Sequence, residues 1–477
     1  MAEPVDVVIR GGVLVAPEGE ISAGLAIKDG VVVAVEQDRH LPPAAETIDA
    51  RGLFVLPGVI DCHVHLRDPG DTDKEDWASG TAAAACGGVT TVFDMPSTNP
   101  PVDTVVNLRI KQAIAAQKSI VDYGIYGLLG AHNVTELEAL SRHGVVGFKC
   151  FMSSSLSGRL PAPDDGVMLE GFERIARLGQ RCIVHAENLG IITRRERELK
   201  AAGRTDPRAH PESRPAVAAA EAVARAIVFA QSAGMRLHIA HESSADALPH
   251  IAAAKARGLD VTVETCPQYL LLTADDLAAK GGVLRCNPPI REPGHDRALW
   301  AAIESGLIDA LATDHAPHRT EEKTKPSIWD NSCGLLGLET ALPLMLTEVN
   351  AGRLSLNRLV ALCAANPAKI WDLYPRKGVL QVGSDADIVL VDMARTGVID
   401  QAKLHSKHGI SGWHGRRVTG MPVRTIVRGR TVMQDGELTG SPGWGQPVRP
   451  SAPKPPSLAL AGENKTRHAR AHQAPHR

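Results

Sequence analysis

The sequence predicts an α/β protein: a (β/α)8 TIM barrel with a small composite β-sandwich domain formed by both termini. Three observations predict it. Short β-rich runs alternate with Ala-rich amphipathic stretches of helix length through the middle of the chain. Polar residues end nearly every one of those runs. Strand-and-turn texture without helices occupies both ends.

The N-terminal strands read as VDVVIRGGVLV from Val5 and LAIKDGVVVAV from Leu25, with Gly and Asp-Gly turns between them. The same texture returns in DADIVLVD from Asp385 and PVRTIVRGRTV from Pro422. Neither end has enough strands for a stable sheet, so the two are expected to assemble as one domain, from 1–54 and 375–450. Between them, 55–374, eight β-rich runs fall at 55–65, 88–95, 121–130, 144–152, 181–187, 236–242, 260–266 and 308–316. A doubly wound open sheet would gather its site at one reversal of strand order, whereas polar strand ends all round suit a shared pocket on a barrel rim. From Ser451 to Arg477 the chain holds four prolines, five Lys or Arg and one acid, Glu463, and reads as an extended or disordered tail.

Composition narrows the function. Of 477 residues 44% are hydrophobic and 22% charged, with net charge -2 and 3% aromatics. That balance gives no electrostatic case for nucleic acid and few stacking platforms for bases. No run of 18 apolar residues exists, and the first strand carries Asp6 and Arg10, so no membrane partner is expected. The eight cysteines form no C-x-x-C pair and lie mostly in apolar segments, which favours reduced thiols and a cytoplasmic setting.

The chemistry-bearing residues sit at strand ends. His63 and His65 alternate at the end of the first barrel strand, so period-2 geometry turns both inward and Val64 outward. Lys149, His185, His241 and Asp314 end runs four, five, six and eight. Imidazoles with carboxylate suit zinc or another borderline divalent metal. Lys149 lies in the apolar Gly-Phe-Lys-Cys-Phe-Met, where a lone ammonium is costly. It is either ion-paired or neutral and carboxylated by carbon dioxide, offering one oxygen to each of two metals.

The run PGVIDCHVHLRDPG (57–70) resembles the opening motif of the amidohydrolase superfamily, in its dihydroorotase, allantoinase and hydantoinase branch. The resemblance continues through GGVTTVFDMPSTNPP (87–101), GVVGFKCFMSSS (144–155), CIVHAEN (182–188), LHIAHESS (237–244), CNPPIR (286–291), ATDHAPH (312–318) and GSDADIVLVD (383–392). It implies two Zn2+ per chain: His63 and His65 on the more buried ion, His185 and His241 on the more exposed one. Carboxylated Lys149 would bridge them, and Asp314 would be both ligand and catalytic proton carrier. The implied reaction is hydrolytic opening of a cyclic amide, or its reverse. The implied assembly is a homodimer or homotetramer.

The ring is open between readings. Arg67, Asn99, Asn287 and His318 match substrate-binding positions of dihydroorotases, where Arg, Asn and His hold a carboxylate. That set makes dihydroorotase the first expectation. Three segments, KEDWASGT (74–81), GRTDPRAHPESRP (203–215) and SPGWGQP (441–447), resemble allantoinases or hydantoinases instead, which act on neutral rings. Ser97 departs from the dihydroorotase loop, and many dihydroorotases carry Asp at the position of Lys149. A third class, non-catalytic scaffolds of the same fold, has lost metal ligands; this chain keeps the set.

Overall fold

A computed structural model describes residues 4–153 and 160–451. The expected tail beyond Ser451, and Ser154 and Ser155 of the lysine motif, lie outside them. Seven strands come first: β1 Val5–Arg10, β2 Val13–Ala16, β3 Gly19–Ser22, β4 Gly24–Lys28, β5 Val31–Glu36, β6 Ala44–Asp49 and β7 Phe54–Pro57. The barrel strands are β8 Val59–Val64, β9 Val89–Asp94, β10 Asp122–Ile125, β11 Gly127–Leu129, β12 Phe148–Phe151, β13 Arg181–His185, β14 Arg236–Ile239, β15 Val261–Thr265 and β16 Ala310–Leu311. Four strands close the order: β17 Ile388–Val398, β18 Arg417–Val427, β19 Arg430–Gln434 and β20 Glu437–Leu438.

The terminal strands form two sheets, β5-β4-β1-β6 and β20-β19-β18-β17-β7-β2-β3. The second mixes both chain ends, because β7 pairs antiparallel with β17 and parallel with β2. Val7, Ile9, Leu25 and Ile27 of the first sheet share one buried core with Leu14, Val55, Ile388, Leu390 and Ile426 of the second. Alternating apolar residues supply that core, as expected for strands with one face covered.

The run 55–65 is two strands rather than one. Phe54–Pro57 stays in the terminal sheet, and the chain crosses into the barrel at Gly58, whose N–H donates to Asp387 O at 2.8 Å. A Cβ at Gly58 would sit 2.1 Å from Thr90 Oγ1, so the close crossing requires glycine. Apolar strand residues continue on both sides, which hid the break.

The barrel strands are parallel and closed. β10-β9-β8 form one arc and β11-β12-β13-β14-β15-β16 the other. The third strand is split at Tyr126 and contributes a segment to each. At the other seam Val64 bridges His315, and His65 N–H donates to His315 O at 2.7 Å. The seam therefore sets His65 beside the Asp314 loop. All eight cysteines are free thiols. Among the described residues one helix, Ala216–Ala233, is long and apolar enough to cross a membrane; its Ala219, Val223, Ala226, Ile227 and Ala230 are buried.

Candidate metal centre

His63 ends β8 with its ring inward. Its Nε2 lies 3.3 Å from Asp314 Oδ1, and His65 Nε2 lies 3.2 Å from the same oxygen. Val64, between them, packs into the outer core. The alternation expected from strand geometry is thus what the two rings adopt. The turn that follows is pinned by Leu66 N–H donating to Asp94 Oδ1 at 2.7 Å. Asp94 is itself held by buried Lys111 at 2.5 Å.

The other rings continue the cluster. The ring centroids of His63 and His241 are 5.0 Å apart, those of His185 and His241 4.6 Å, and His185 Nδ1 approaches His241 Nε2 at 2.9 Å. Lys149, on β12, is fully buried, and its Nζ has no hydrogen-bond partner among the described residues; the Phe151 ring lies 4.9 Å away. Burial pushes Lys149 down to about 8, with Glu264 and Asp314 opposing. Burial, then the Lys149 charge, pushes His63 down to about 4. His65, His185 and His241 are lowered too, chiefly by burial. The cluster is a set of neutral donors and one lysine biased towards its neutral, nucleophilic form.

The outer nitrogens are held by groups that sequence reading gave no role. Glu264, ending β15, accepts from His63 Nδ1 at 2.5 Å. Ser97 Oγ meets His65 Nδ1 at 3.1 Å. Glu187 Oε2 meets His185 Nε2 at 2.8 Å, and Arg214 Nη1 binds the same oxygen at 2.5 Å. Arg214 belongs to the 203–215 segment, so that segment reaches a candidate ligand through one carboxylate. Glu264 was legible only as one more polar strand end, and Ser97 only as a departure in a motif.

Residues of this kind fit a pair of divalent ions. His241 Nδ1, like Lys149 Nζ, is buried without a partner, and orphaned buried polar atoms are costly unless something binds them. His63, His65 and His185 each keep one nitrogen for an anchor and turn the other to the centre, the arrangement metal-ligating histidines adopt. Asp314 (φ 50°), His241 (φ 34°) and Arg67 (φ 63°) hold left-handed backbone, and such strain gathers at functional sites.

The substrate-side expectations fare differently. Arg67 is buried and donates Nε to Pro317 O at 3.2 Å and Nη2 to His318 Nε2 at 3.1 Å. Burial and Arg67 push His318 down to about 3, which favours a neutral ring, and its Nε2 lies between Arg67 Nη2 and the Cys333 carbonyl oxygen, 3.0 Å away. Both are brought together, but on each other. Asn99 is exposed and packs on the turn after Arg67, its N–H donating to Pro69 O at 3.1 Å. Asn287 is half-buried with Oδ1 unpartnered.

A parallel barrel with histidines, an aspartate and a buried lysine at its strand ends defines a metal-dependent hydrolase class. Residues 54–432 match the model of the amidohydrolase family, and the chain belongs to that family, in its cyclic-amidohydrolase branch. Metal-dependent hydrolysis of a cyclic amide is the general chemistry this supports. The chain is 40% identical to the L-hydantoinase of Paenarthrobacter aurescens over 92% of its own length and 97% of that protein's. It is 39% identical to the allantoinase of Deinococcus radiodurans, covering 93% and 99%. The solved L-hydantoinase (dihydropyrimidinase) of Arthrobacter aurescens superposes with a TM-score of 0.92 at 40% identity, covering 93% of this chain and 100% of that one. These likenesses favour the allantoinase or hydantoinase reading over the dihydroorotase one expected first.

Proposed function

We propose that the protein opens a neutral cyclic ureide, of the allantoin or hydantoin type, by hydrolysis at a two-metal centre. One observation carries the choice of ring: Arg67 commits Nε and Nη2 to Pro317 and His318. That occupies the Nε–Nη2 edge and leaves a carboxylate-bearing ring such as dihydroorotate only the Nη1–Nη2 edge for paired donation. His318, held neutral by burial beside Arg67, adds no charge. The similarity to allantoinases and L-hydantoinase supports the same reading.

In this reading His63, His65 and Asp314 would hold one ion, His185 and His241 the other, and a carboxylated Lys149 would serve both. A neutral amine is the form that reacts with carbon dioxide, and burial of Lys149 favours it. When bound, such a pair supplies Lewis acidity that lowers the pKa of water towards neutrality. Asp314 accepts the proton of the attacking water at its carboxylate and returns it to the leaving ring nitrogen, which departs poorly unprotonated. Burial raises Asp314 above the usual carboxylate range, a shift towards proton carriage. Zinc, a cytoplasmic location and a homodimer or homotetramer belong to the same proposal.

Elemental analysis should find two divalent ions per chain, and the loaded protein should open hydantoin or allantoin to a carboxylate product. Absence of turnover on every neutral ring, with two ions bound, would refute the activity.

A further inference from the structure

Glu264 is fully buried, 0% exposed, yet it meets four groups with two oxygens. Oε1 accepts from His63 Nδ1 at 2.5 Å and from the backbone N–H of His241 at 3.1 Å. Oε2 faces Cys62 Sγ at 3.2 Å and His238 Nε2 at 3.2 Å. Four hydrogen-bonding groups thus surround the carboxylate inside the barrel, with the Lys149 charge also acting on it.

The two Oε1 contacts belong to opposite halves of the centre. His63 stands beside Asp314, whereas His241 stands beside His185. His241 also holds left-handed backbone, φ 34°, a conformation a non-glycine residue keeps only when something fixes it. The Glu264 bond to its N–H is such a fixture. One oxygen therefore sets the ring of one candidate ligand and the backbone of another.

We infer that Glu264 is a positioning residue that ties the two metal subsites together, orienting the His63 ring and the His241 backbone through the same oxygen. The inference rests on the two-metal reading of the centre. An anionic acceptor on Nδ1 fixes the His63 tautomer with Nε2 free, and raises its basicity as a ligand. Withdrawing the charge should weaken both subsites, although Glu264 is not among the proposed ligands.

The test is Zn2+ affinity and release to a chelator, with the Co2+-loaded absorption spectrum, for the full-length wild type, Glu264→Gln and Cys62→Ala. Glu264→Gln should weaken both ions by about tenfold or more and alter the Co2+ spectrum. Cys62→Ala, which removes only an Oε2 partner, should leave both affinities within about threefold. If Glu264→Gln fails to fold, Glu264→Asp replaces it: the charge stays, the contact to His63 is withdrawn, and weakening of both ions is again expected. Wild-type affinity in the variant, weakening of one ion alone, or a lowered melting temperature of metal-free protein with unchanged metal binding would each overturn the inference. A wild type holding fewer than two ions would overturn the centre itself, and the inference with it.

Discussion

Arg67 Nη2 and His318 Nε2 are 3.1 Å apart, joining the turn after β8 to the loop after Asp314 across 251 residues of sequence. In the proposed reading the pair is a brace for the loop carrying Asp314, not a carboxylate receptor. Arg67→Gln should then cost about 1–3 kcal/mol of stability, the range for losing a buried hydrogen-bonded partner. It should reduce kcat/KM for neutral rings at least as much as for dihydroorotate. Thermal unfolding and paired kinetics check this, and a loss confined to the carboxylate-bearing ring would restore the dihydroorotase reading.

Lys149 supplies the second prediction. Lys149→Ala should lower metal content below two ions per chain and reduce turnover by roughly a hundredfold or more, as loss of a ligand that positions catalysis does. A short carboxylic acid, standing in for the carbamate, should restore part of both. Full metal content with normal turnover in the variant would mean that Lys149 bridges nothing.

Asp314→Asn separates binding from proton transfer. An amide cannot accept and return a proton, so kcat should fall by about 10²- to 10⁴-fold even in metal-replete protein, with KM changed much less. Near-normal kcat would remove Asp314 from the proton path.

How much was legible in the sequence depended on how local the cause was. His63 and His65 could be placed because strand alternation is a two-residue property. Lys149 stood out because an ammonium among Phe, Cys and Met demands an explanation. The Arg67–His318 contact was not legible, since both residues were read towards a ligand and their meeting depends on the closed seam between β8 and β16. Glu264 was missed for a related reason: its partner His63 is 201 residues away. Gly58, similarly, divides a continuous apolar run only because Thr90 lies against it in space.

Away from the centre, His405 links the barrel to the C-terminal region. Its Nδ1 lies 3.0 Å from Glu339 Oε1, its N–H donates to Glu339 Oε2 at 2.8 Å, and Nε2 faces Cys86 Sγ at 3.6 Å. The Glu339 hydrogen bond raises His405 above its ordinary 6.5. A raised histidine stabilises fully below its unfolded pKa, and that contribution fades as pH rises through the folded one. The melting-temperature gap between wild type and His405→Asn should therefore be widest below pH 6.5 and shrink as pH rises above it. A gap that stays constant or widens on that rise would show that His405 does not titrate as described.

The most direct test of the central claim is a side-by-side assay of allantoin, hydantoin, dihydrouracil and dihydroorotate on metal-replete protein, compared by kcat/KM. With Arg67 held by His318 and Pro317, a neutral ring should exceed dihydroorotate by roughly a hundredfold or more, about 2.7 kcal/mol of discrimination. Dihydroorotate as the best substrate, with the neutral rings inert, would contradict the account.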